Sequence, residues 1–289
     1  MNHSWMKAQL LFFFALCTLN VLSAQELLSR NEALTQLYNQ YDTKTETAQW
    51  ACTKEQTSDK PHAGWPCRKE YSTVSISVLL TAQVNEGDGV EKMYLVASAE
   101  PDKVPGGYEC HACAPAIGAA VFAWRAQHWV LESANPAIGF HGAWGDPTLV
   151  DLIEVGPGRH GFMLTHADEG QGFATSFKCL VMPVGKTVSQ VWSIDDEEDD
   201  AGAYDPSDKW AIQVFYRHSA GIRMFAADQD GSKPRDYYDI EVISRGTDLT
   251  NETRRLKPEN WTEIYRFDGL QYKLLKRTIY REMKGPPKK

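Results

Sequence analysis

The chain has 289 residues with 38 acidic against 30 basic side chains, a formal charge of −8. That balance argues against nucleic acid and other polyanions as partners, because a phosphate backbone is held by an excess of Lys and Arg. Aromatic residues make up 11% of the chain, enough to fill a core, so wholesale disorder is excluded.

Residues 1–24 carry one early cation, Lys7, then the apolar run from Leu10 to Ala15, then the small pair Ser23-Ala24. This is the layout of a cleavable secretory signal peptide, too short and wrongly flanked for an anchor. Leu16 stands before Cys17 where a lipoprotein signal needs a small residue. Loss of Lys7 takes the charge from −8 to −9. No later stretch reaches the ~18 apolar residues of a membrane helix, so no integral membrane segment is expected after processing. The expected location is the periplasm or the extracellular space, and the short signal points to a bacterial source.

Residues 25–70 form a helix followed by an irregular arm. Ser29-Arg30-Asn31-Glu32 is a capping box, and Ala33, Leu34, Leu37, Tyr38 and Tyr41 recur at helical spacing, which predicts an amphipathic helix over about 29–41. The arm is punctuated by Pro61, Gly64 and Pro66. Cys52, Cys67, Cys110, Cys113 and Cys179 survive processing, and in an oxidising compartment they pair where geometry allows. Proximity favours Cys52 with Cys67 and Cys110 with Cys113, leaving Cys179 buried and reduced in the strand Phe177–Val181.

Residues 71–280 read as a β domain. Thr73–Val78 alternates with period two; Lys92–Ala99 follows the turn Asn85–Gly89. Gly118–Ala123 and His128–Ser133 make a hairpin. A meander follows over 149–155, 161–166, 173–184 and 188–194, then 210–216, 237–244, 263–267 and 272–277. Strands about ten residues apart predict a mainly β protein, an antiparallel sandwich or partial-propeller-like meander with a short N-terminal helix. The stretches 149–194 and 210–277 suggest two blade-like sheets, although no strict repeat supports a propeller. Residues 281–289 read as a flexible tail.

Four features invite a chemical reading. Cys110-His111-Ala112-Cys113 lacks the βαβ setting of a redox pair, lacks His after the second Cys as haem attachment requires, and lacks a fourth ligand for zinc or copper. A structural bridge is the expected reading, with no cofactor. Asp195, Asp196, Glu197, Glu198, Asp199 and Asp200 are six acids in a row, expected in a solvated loop that could dock a basic protein. Neither this run nor Asp228-Gln229-Asp230-Gly231 has the ligand spacing of an EF-hand. Phe140 and Trp144 project from the glycine-rich loop 139–147, either back over the core or outward as anchors for a partner or a sugar.

His141, His160, His166 and His218 are scattered, and neither H-E-x-x-H nor G-x-S-x-G occurs. Gly156-Pro157-Gly158 is a turn rather than a phosphate loop. Asn251 and Asn260 open glycosylation sequons, relevant only in a eukaryotic secretory pathway. The expected function is therefore a secreted, non-catalytic binding protein, of the kind that inhibits or confers immunity to a basic envelope enzyme. The rival expectations are a metal-dependent hydrolase with a dispersed His/Asp site, and a structural envelope protein.

Overall fold

A computed structural model describes residues 27–50, 73–101, 113–170, 172–199, 202, 217–226, 236–247 and 258–280. The proposed signal peptide, the expected arm from residue 51 onward, the expected strand 210–216 and the tail from 281 lie outside these residues.

Helix α1 spans Arg30–Leu37 and begins as the capping box dictates. The Glu32 N–H donates to Ser29 Oγ at 3.2 Å, and the Ser29 N–H donates to Glu32 Oε2 at 2.9 Å. It ends four residues earlier than the spacing predicts. Tyr38 is already extended, at φ −110° and ψ 138°, and Gln40 takes a left-handed φ of 51°. Tyr38 and Tyr41 are buried all the same. Apolar spacing thus marked the inward-facing residues correctly, while the turn at Asn39-Gln40 delivers the second tyrosine.

The strands are β1 (Thr47–Gln49), β2 (Thr73–Asn85), β3 (Glu91–Pro101), β4 (Ala116–Arg125) and β5 (His128–Phe140), then the small hairpin β6 (Gly142–Ala143) and β7 (Asp146–Pro147). They continue as β8 (Leu149–Gly156), β9 (Arg159–Gly170), β10 (Phe173–Val184), β11 (Thr187–Asp199), β12 (Arg217–Phe225), β13 (Asp239–Thr247), β14 (Pro258–Phe267) and β15 (Tyr272–Tyr280). The fold is mainly β and antiparallel throughout. β1–β5 form one sheet in chain order and β8–β15 a second, also in chain order. The expected two blades are therefore one continuous sheet of eight strands. Its strand β12 was not predicted, although Ala220, Ile222 and Met224 alternate with Ser219, Gly221 and Arg223 and pack on the core.

Three cores stack in layers. Ala33, Leu34 and Leu37 of α1 pack on Ile76, Leu95 and Phe122 from one face of the first sheet. The other face, with Tyr94, Val96, Ile117 and Val121, meets Phe162, Leu164, Cys179 and Val181 of the second sheet. That second sheet curls into a half-barrel, and its far face closes on Leu180, Met182, Val191, Trp192, Ile240, Val242 and Tyr272. Each large apolar side chain so buried contributes roughly 1.5–3 kcal/mol. Because β3, β4 and β10 are covered on both faces, their sequences run apolar without alternation, as in Cys179-Leu180-Val181-Met182.

The curl is visible in contacts between distant strands. Trp192 on β11 meets Tyr265 on β14 edge to face at 5.9 Å. The Tyr238 N–H donates to Val155 O at 2.8 Å, and the Tyr238 hydroxyl donates to Glu154 Oε1 at 3.0 Å, tying β8 to the entry of β13. The two sheets are stitched where the β2–β3 turn meets the β8–β9 turn, with the Gly87 N–H donating to Gly158 O at 3.0 Å. Gly158 has φ 62°, and a Cβ there would collide with the Gly87 backbone, so this crossing needs glycine.

Candidate functional site

The acidic run is not a solvated loop. Asp195–Asp199 lie in β11, opposite Ala174–Phe177 of β10, and Glu197–Asp199 also pair with Arg217–Ser219 of β12. Successive strand side chains point to opposite faces, which separates neighbouring charges that a loop would have left to solvent. Asp196 is the extra residue of a β-bulge, since Phe177 pairs with Asp195 and Ser176 with Glu197. The bulge turns Asp196 inward, 6% exposed, where Lys178 Nζ sits 2.6 Å from its Oδ2. Asp200 lies outside the described residues.

Beyond this bulge the tips of β9, β10 and β11 enclose a cleft of about 690 Å³. Asp168 and Glu169 come from β9, Glu197 and Asp199 from β11, and Phe173 from the start of β10, with Gly170 and Gly172 at the turn between the hairpin arms. Four carboxylates stand among its described lining residues, and Arg217 of β12 is the cross-strand neighbour of Asp199. Carboxylates gathered in a concavity each add to a negative potential there. Phe173 is 53% exposed and supplies an apolar contact beside the charges.

The predicted site residues therefore divide. Glu197 and Asp199 join the cleft, whereas Asp195, Asp196 and Glu198 are not among its lining residues. Phe140 and Trp144 stand apart from it. Phe140 is half-buried against the helix-side core, and Trp144 turns the β6–β7 hairpin with φ 57° and stays 51% exposed. Asp168, Glu169 and Phe173 were not singled out in the sequence. The polar string Ala167-Asp168-Glu169-Gly170 was the available signal, but only the hairpin geometry brings it alongside Glu197.

Two further clusters were also missed. Glu86, in the β2–β3 turn, accepts a short hydrogen bond from the Tyr94 hydroxyl and lies 2.7 Å from Lys92 Nζ. Lys92 also reaches Glu132 at 2.8 Å, and Arg125 reaches Glu132 at 3.0 Å. Burial alone would draw the Lys92 ammonium down, yet the carboxylates of Glu132 and Glu86 hold its pKa above the usual lysine value. Burial and then the adjacent Glu86 push the Tyr94 phenol upward. The second cluster is His141 and Cys179, with Nδ1 and Sγ 4.0 Å apart between the sheets. Burial and the neighbouring His166 lower His141 to about 4, and burial raises the Cys179 thiol to about 12. Both groups are neutral near pH 7, the reverse of an activated thiolate–imidazolium pair.

Cys179 is free and buried, as expected. Cys113 is disulfide-bonded. Cys52, Cys67, Cys110 and His111 lie outside the described residues, and so do both expected pairings. Among the described residues no three of His, Cys, Asp and Glu group so as to hold a metal ion, and no helix is long and apolar enough to cross a membrane. No family model, no curated protein and no solved structure matches the chain.

Proposed function

We propose that the protein is an exported, non-catalytic binding protein whose β9–β10–β11 cleft receives a basic segment of a partner protein. One observation carries the reading: four carboxylates, Asp168, Glu169, Glu197 and Asp199, line a concave site beside an exposed phenylalanine. Lysine or arginine side chains entering it would meet an opposing field, with their aliphatic stems against Phe173. A basic envelope enzyme held by an inhibitor or immunity-type partner fits that chemistry. The neutral His141–Cys179 pair and the internally matched Glu86–Lys92–Glu132 network favour this reading over a dispersed catalytic site.

The test is a titration with a fluorescent hexalysine peptide and a hexaglutamate control. The wild-type chain is expected to bind the first saturably and the second not at all. Changing Glu169→Gln, Glu197→Gln and Asp199→Asn together is expected to weaken hexalysine binding at least about tenfold, the equivalent of ~1.4 kcal/mol. Equal affinity in the triple variant sinks the proposal.

A further inference from the structure

A second unassigned feature lies at the far edge of the curled sheet. β15 ends that sheet, so among the described residues only β14 pairs with it, and its outer row of backbone N–H and C=O groups faces away from the sheet. Tyr272 is buried, yet Leu274, Leu275, Ile279 and Tyr280 are each more than half exposed. They do not share one face. Leu274 and Ile279 stand opposite Tyr265 and Trp261 of β14, while Tyr280 stands opposite Asn260 on the alternate face.

Charge on this strand runs against the rest of the chain. Lys273, Lys276 and Arg277 lie within β15, which has no acidic residue, in a protein of net −8. Lys273 Nζ sits 2.7 Å from Asp268 and Arg277 Nε 3.7 Å from Glu263. Lys276 has no ion-pair partner among the described residues. Lysines and bulges on an edge strand discourage pairing with a second copy, and β15 has both, Leu275 being the extra residue of a bulge. Antiparallel self-pairing centred on Lys276 would set that lysine against its own counterpart. A membrane surface asks for apolar side chains on one side only, and here both faces carry them.

We propose that β15 is a strand-addition site for an extended acidic segment of a partner protein, with apolar residues interleaved among its carboxylates. Main-chain hydrogen bonds to the open edge supply affinity, and Lys276 with the exposed leucines supplies selection. The cleft takes cations and β15 takes anions on a different strand, so this inference stands apart from the proposal above.

The experiment uses the full chain and a labelled nine-residue peptide alternating Glu and Val, with a Lys–Val peptide as control. Fluorescence anisotropy is expected to saturate with the Glu–Val peptide alone, and amide hydrogen exchange to slow within 273–280. Lys276→Glu is expected to weaken binding about fivefold, and Lys276→Gln by less. Leu149→Ser on the opposite edge strand β8 is expected to leave it unchanged, and an unaltered urea midpoint shows that each variant folds. No saturable binding, equal binding of both peptides, or protection on other strands overturns the proposal. So does slowing of the same amides by a second copy or by phosphatidylglycerol vesicles in the absence of peptide.

Discussion

Lys178 on β10 places its ammonium 2.6 Å from the Asp196 carboxylate at the point where β11 carries an extra residue. Asp196 is nearly enclosed and its Oδ1 has no hydrogen-bond partner, so the carboxylate depends on this one cation. Lys178→Met is expected to cost about 2 kcal/mol, below the usual range for a fully buried pair because the lysine is partly exposed. Adding Asp196→Leu is expected to return part of that loss. Urea unfolding midpoints of the two variants check it; a single variant as stable as wild type refutes it.

The β4–β5 hairpin turns through Ala126 and Gln127, at φ 48° and 66°. Both are left-handed conformations that side-chain-bearing residues adopt at a cost, and Asn-Gly is the sequence such turns favour. Ala126→Asn with Gln127→Gly is expected to stabilise by about 1 kcal/mol and raise the Tm by about 2–4 °C. Calorimetry reads the shift directly.

Gly158 and Gly185 have nearly equal φ, 62° and 63°, but opposite surroundings. Gly158 abuts Gly87 across the junction between sheets, whereas a Cβ on Gly185 would meet nothing. Gly185→Ala is expected to cost about 1 kcal/mol, the backbone penalty alone. Gly158→Ala is expected to cost more than about 2 kcal/mol, since the turns must also separate. Equal costs would show that the junction contributes nothing.

His141 is lowered to about 4 from an ordinary value of 6.5. Between those limits the unfolded chain binds a proton that the folded chain refuses. Stability is therefore full above pH 6.5, falls as the solution is acidified toward pH 4, and gains no further loss from this residue below that. The slope is on the order of 1 kcal/mol per pH unit inside the window. His141→Asn is expected to flatten the wild-type difference in urea midpoint between pH 7 and pH 4.5.

Cys179 is fully enclosed and its thiol is raised to about 12. It is expected to resist iodoacetamide at pH 8 in the native protein and to react at once in urea. Peptide mass analysis after labelling distinguishes it from the other cysteines.

Where one segment determines its own structure, the sequence was legible. Ser29 and Glu32 announce the helix start, and the Asn85–Gly89 and Gly156–Arg159 turns announce two hairpins. What escaped depends on partners remote in sequence. Asp195–Asp199 has the composition of a loop and becomes a strand because β10 and β12 flank it. Phe177 and Cys179 reveal nothing of His141 until two sheets close over them. Glu169 becomes part of the candidate site only when its hairpin folds beside Glu197.

The double-sided cover on β10 has a consequence for how that strand finds its place. Sliding it by one residue would swap Cys179 and Val181 with Leu180 and Met182, exchanging oily groups for oily groups, so solvent avoidance hardly penalises the error. Alignment must be enforced by the irregular steps opposite Ser176/Phe177 and Leu180/Val181, and by a lysine that finds its carboxylate in one setting only.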